Sequence, residues 1–170
     1  MISNRLDFGT VDAMTSKVKN AYTGEDFVFF VGYSGGGVAA SMVAQRLESS
    51  LYVHGIIKIG SPQINAPTSS WRDRTVSIYR EGDVVHGVVA DPEFYEKLVL
   101  CQSFVYEVKS YFYRPKREEI RGLTGNGDGG LFGVHTSYFK EDGPATDSKG
   151  TTNLSKTVDA VVNEIIWRSR

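Results

Sequence analysis

The chain is poor in cysteine: it has one, Cys101, so no intrachain disulfide can form and the fold must rest on its apolar core. Cys101 sits in the apolar pattern Leu98-Val99-Leu100-Cys101, which reads as a buried structural thiol rather than a nucleophile. Long hydrophobic runs are missing too. None approaches the length that spans a bilayer, so no transmembrane segment is expected. An excess of one charge is also lacking, since 19 Lys and Arg against 20 Asp and Glu give a net charge of −1. That balance leaves no broad basic footprint for a nucleic-acid backbone. The densest charged run, RPKREEIR at 114–121, mixes both signs and reads as a solvated surface loop or helix start rather than a phosphate-binding patch. The first ten residues, MISNRLDFGT, lack the basic and apolar regions of a secretory signal, which makes a soluble, cytoplasmic protein the default expectation.

What is present fits one ordinary globular domain over 1–170, with 41% hydrophobic and 23% charged residues. Val11, Met14, Val18 and Ala21 recur at helical spacing, with Thr10 placed to cap the helix and Gly24 to end it. The run 27–31 is apolar on both alternating faces, as in a central strand covered by helices on each side. A small-residue helix follows, with Ala39, Val43 and Leu47 on one face. Residues 52–59 read as a second parallel strand ended by Gly60-Ser61-Pro62, and 75–79 as a third, followed by a turn at 80–83. The stretch 63–74 reads as a loop able to border a site. A helix is expected over 91–102, a more peripheral strand over 104–113, and a glycine-rich loop over 115–134. The last helix carries Leu154, Val158, Val161, Val162, Ile165 and Ile166, with Asn153 as its cap. Alternating strands and helices of this kind predict an α/β fold, a three-layer sandwich with a mostly parallel sheet.

The chemistry concentrates where the strand at 27–31 meets its helix, in Gly32-Tyr33-Ser34-Gly35-Gly36, a G-x-S-x-G sequence in a strand-turn-helix setting. A serine hydroxyl is a weak nucleophile and needs a base to take its proton and an acid to orient that base. The flanking Gly32 and Gly36 are expected to avoid clashes where strands crowd the turn. The N–H of Gly35, at the helix start, is placed to donate to an oxyanion. Three histidines compete for the role of base. His54 lies at the start of its strand, the wrong end of a parallel sheet. His86 follows Asp83 on the same connection, where a helper or pocket role suits it better. His135 follows the last strand and is the candidate base. Asp83, just after the third strand, is the candidate acid; Glu81 and Asp91 are weaker alternatives, and Asp73 precedes the strand.

With these residues in order, Ser34, Asp83, His135, the chain from about residue 27 onward resembles the C-terminal half of an α/β-hydrolase of the lipase and esterase type. GYSGGG matches the nucleophile elbow, IGSPQ the segment after the next strand, YREGDVV the acid turn and HTSYF the histidine segment. The resemblance implies a serine hydrolase acting on carboxylic esters through an acyl-enzyme, with no cofactor and no metal. Thioesters, amides and phospholipids use the same machinery. Tyr33 and Tyr138, together with Trp71 and Phe139, would suit an apolar acyl group, the alternative for several of them being a place in the core.

The chain departs from that family upstream, where a single helix precedes the nucleophile strand in place of several strands, among them the one whose loop supplies a second oxyanion donor. This implies a reduced or N-terminally truncated α/β-hydrolase fold. Its open strand edge favours pairing with another chain as a homo-oligomer. The alternative is a catalytically silent α/β module that binds or assembles, or a fragment completed by a missing half or a partner chain. The run GNGDGG at 125–130 has a superficial likeness to calcium loops. With one carboxylate it has too few ligands, and it reads as a flexible loop.

Overall fold

Apolar runs bounded by glycine build a parallel sheet at the centre of the protein. A computed structural model describes residues 8–62, 71, 73–86, 116–119, 133–141 and 148–170. Helix α1 (Phe8–Ala21) leads to strand β1 (Phe29–Tyr33), helix α2 (Gly35–Leu47) and strand β2 (Gly55–Ile59). Strands β3 (Thr75–Tyr79) and β4 (Lys116–Glu119), a 3-10 turn at His135–Ser137 and helix α3 (Asn153–Arg168) complete the described elements. The strands lie in the order β1-β2-β3-β4, all parallel, with Val31 opposite Ile57, Ile57 opposite Val76 and Val76 opposite Lys116. This is an α/β architecture.

Helices cover both faces of the sheet. On one face, Val11 of α1 and Val43, Ala44 and Leu47 of α2 close over Phe30 and Ile56, with Leu51, Val53 and Trp71 completing the cluster. On the other, Ala160, Val161 and Ile165 of α3 pack against Ile57, Ile59, Val76, Ile78 and Tyr138. Each fully buried Val, Leu or Ile stabilises the fold by about 1.5–3 kcal/mol relative to exposure. Because every strand runs the same way, the residues after β1, β2 and β3 emerge at one edge of the sheet, and the site assembles there.

Several expectations are corrected. β1 is not central: among the described residues it is an edge strand, and Val31 is 48% exposed on the α3 side. A continuous apolar run carries no information about lateral neighbours, and at the sheet edge the α3 side leaves Val31 partly uncovered. β2 begins at Gly55 rather than at residue 52. Helix α1 starts at Phe8, which places Thr10 inside it, and Met14 and Ala21 point to solvent. The cap of α3 is Thr152, whose Oγ1 accepts from Ser155 N–H at 3.1 Å. Asn153 instead sends its side-chain N–H to the Ser137 carbonyl at 2.9 Å. Val158, Val162 and Ile166 of α3 are exposed, so its apolar arc is wider than its contact with the sheet. Strand β4 falls inside the stretch read as loop at 115–134, and inside the charged run read as loop or helix start. The helix expected at 91–102, the strand at 104–113, Asp91, Cys101 and the run at 125–130 lie outside the described residues, as does all of 63–74 except Trp71, Asp73 and Arg74.

Candidate active site

β1 delivers its chain into a turn that only glycine can flank on one side. A Cβ on Gly32 would lie 2.3 Å from the Gly36 carbonyl oxygen and 2.5 Å from Gly37 N, so the strand end and the start of α2 touch backbone to backbone. Gly36, expected to share this role, faces open space. Between them Ser34 adopts φ 53° and ψ −129°, the single positive-φ non-glycine residue among those described. Such a conformation costs about 1–3 kcal/mol and persists where surrounding structure imposes it. Here Ser34 N–H donates to the Ile59 carbonyl at 3.0 Å, and Gly37 N–H donates to the Ser34 carbonyl at 3.1 Å. The hydroxyl makes no capping bond to the helix and meets His135 instead.

The structure brings Ser34, His135 and Asp83 into one hydrogen-bonded line. Ser34 Oγ lies 2.9 Å from His135 Nε2, and His135 Nδ1 lies 3.1 Å from both carboxylate oxygens of Asp83. An ionised carboxylate only accepts, so Nδ1 carries the proton and Nε2 is left to accept from the serine hydroxyl. His135 and Asp83 are buried, which strengthens these contacts.

Asp83 is anchored by more than the histidine. Its Oδ1 accepts from the N–H of Val85 at 2.9 Å and of His86 at 3.3 Å, and its Oδ2 accepts from the Tyr138 hydroxyl at 2.8 Å. Burial pushes its carboxyl pKa up. The hydrogen bonds from His135 and Tyr138, the charge of His135 and the His86 amide outweigh burial, and the net shift is downward. Tyr138 is shifted upward by burial, by the Asp83 charge and by donation to that carboxylate. Gly60, at φ +50°, makes room for both: a Cβ there would lie 2.7 Å from Asp83 Oδ2 and 2.8 Å from the Tyr138 ring.

Two expected substrate contacts therefore have other surroundings. Tyr138 is fully buried with its hydroxyl on Asp83, and so cannot line an acyl pocket. Tyr33 stacks on His135, with ring centroids 4.9 Å apart, and donates to the His135 carbonyl. Trp71 is buried in the core under the Arg74 guanidinium, whereas Phe139 is part-exposed and meets Tyr33 edge-on. His54, just before β2, accepts from Val28 N–H at 3.1 Å at the opposite end of the sheet. His86 is buried and stacks on Tyr79 at 4.5 Å.

The sequence reading missed the groups that hold the histidine segment. Arg80 Nη1 donates to Ser137 Oγ at 3.0 Å, Asn153 Nδ2 donates to the Ser137 carbonyl, and Thr157 Oγ1 donates to the Tyr138 carbonyl at 2.9 Å. Asn153 and Thr157, polar residues four apart in line with the apolar Val161 and Ile165 of the same helix, were the available signal. Among the described residues, no cluster of three His, Cys, Asp or Glu side chains is placed to hold a metal ion, and no helix is long and apolar enough to cross a membrane.

Comparison with known proteins finds no matching family model, curated protein or solved structure.

Proposed function

We propose that this protein is a serine hydrolase of carboxylic esters, of the lipase and esterase type, built on an α/β-hydrolase fold. The observation that carries the reading is the line from Ser34 Oγ through His135 to Asp83, at 2.9 and 3.1 Å, drawn from three separate connections at one sheet edge. The positive φ of Ser34 supports it, since a nucleophile elbow holds its serine in a strained strand-to-helix turn.

In this reading Ser34 Oγ attacks the ester carbonyl carbon while its proton passes to His135 Nε2. The carbonyl electron pair moves to oxygen, and the Gly35 N–H at the head of α2 donates to that oxyanion. The pair returns, the carbon–oxygen bond to the leaving group breaks, and the alcohol departs with the proton from Nε2. Water then repeats the sequence on the acyl-enzyme, giving the carboxylic acid and restoring Ser34. Asp83 keeps the imidazole in the required tautomer and stabilises its charged form.

The test is Ser34→Ala in an assay with short-chain p-nitrophenyl esters. Loss of hydrolysis with an unchanged circular dichroism spectrum supports the reading, and retained hydrolysis refutes it. A second reading, an α/β module that assembles, draws on the β1 edge, unpaired among the described residues, and on the exposed Val31, Val158, Val162 and Ile166. Pairing of two copies at that edge is compatible with either reading.

A further inference from the structure

We infer that Tyr33 is a positioning residue for the base: it fixes His135 over the nucleophile and stabilises the imidazolium formed when Ser34 gives up its proton. The inference rests on the hydrolase reading and extends it to a residue that the sequence pattern assigns to substrate contact.

Three observations converge. The Tyr33 hydroxyl donates to the His135 carbonyl at 2.6 Å, a tie between the residue before the nucleophile and the segment carrying the base, 102 positions away. The Tyr33 ring lies nearly parallel to the imidazole, at 4.9 Å and 19°. The same segment adds two steeply inclined ring contacts to Tyr33, from Tyr138 at 6.0 Å and 63° and Phe139 at 5.1 Å and 86°. β1 thus ends on the support for the base, one residue before the nucleophile, so a shift of the histidine segment away from Ser34 has to break both the stack and the hydrogen bond.

The stack also has an electrostatic consequence. The face of an aromatic ring is electron-rich and attracts a cation held over it. His135 is neutral before the reaction and cationic after taking the serine proton, so the attraction grows along the reaction coordinate and favours turnover rather than ground-state binding. Among the described residues, the other groups facing the imidazole are Asp83 at Nδ1, Ser34 at Nε2 and the Tyr138 ring at 6.5 Å. The Arg80 guanidinium donates to Ser137 Oγ in the same segment.

Two variants separate the components. Tyr33→Phe keeps the ring and removes the tie; kcat is expected to fall about fivefold, with KM and the acid limb of the kcat/KM profile unchanged. Tyr33→Leu removes the ring face; kcat is expected to fall roughly tenfold or more, and the acid limb to move to lower pH by about half a unit, with KM again unchanged. A rise in KM at constant kcat in either variant would identify Tyr33 as a substrate contact and overturn the inference. A readout independent of turnover is the downfield NMR signal of the His135 Nδ1 proton shared with Asp83. Broadening or loss of that signal in folded Tyr33→Leu supports positioning, and an unchanged signal overturns it. An inactive wild-type protein would refute the hydrolase reading, while the NMR comparison would still decide the role of Tyr33.

Discussion

The Tyr138 hydroxyl donates to Asp83 Oδ2 at 2.8 Å and accepts from the Arg80 backbone N–H at the same distance. A single phenol thereby links the acid, the turn after β3 and the histidine segment.

Tyr138→Phe removes that link and leaves the buried Asp83 carboxylate and the part-buried Arg80 N–H each short of a bond. The expected loss is about 1–3 kcal/mol of stability, measured by chemical denaturation. Ester turnover is expected to fall roughly tenfold, because Asp83 orients the base less firmly.

Asp83 also sets an acid limit. Its folded pKa lies below the ordinary value of 3.8, so the stability it contributes is present above that value and is lost as pH falls through the folded value. Wild-type protein is expected to lose stability relative to Asp83→Asn as pH drops below about 4. Parallel denaturation curves for the two proteins across that window would contradict the account.

Lys58 provides the opposite limb. It is buried, donates to the Pro62 carbonyl at 2.8 Å, and burial lowers its pKa from 10.5 to about 8. Between those values the unfolded chain holds more protons than the folded one, so stability rises with pH across the window. Relative to Lys58→Met, which keeps the volume without the charge, wild type is expected to gain about 3 kcal/mol from pH 8 to pH 10.5.

Gly32 and Gly36 make a paired test of the elbow. Gly32→Ala forces a Cβ onto the Gly36 backbone and is expected to cost about 3 kcal/mol or more, with loss of the Ser34 conformation. Gly36→Ala meets open space and is expected to change stability by less than about 1 kcal/mol. Thermal melting of both variants checks the contrast.

Much of the frame was legible because local pattern and final structure agree. Apolar residues ending at Gly32, small residues entering α2 and the TVSIY run each specify their element. The line from Ser34 to Asp83 followed from one rule, that parallel strands present their ends at a common edge. Lateral position escaped, because Val31 has the same apolar character whether or not a neighbour lies beside it. KREE in β4 escaped because four charged residues carry no strand signal, and backbone pairing with β3 prevails over side-chain preference. The roles of Tyr33 and Tyr138 escaped for another reason: an aromatic near a serine reads alike whether it holds substrate, base or acid.

The most direct measurement is reaction of the folded protein with a fluorophosphonate, followed by peptide mapping of the adduct. A serine activated by His135 forms a covalent phosphonyl ester, and the account predicts a single adduct on Ser34 that is lost in His135→Ala. An unlabelled but well-folded protein, or an adduct elsewhere that leaves Ser34 free, would contradict the claim that these three residues form a working site.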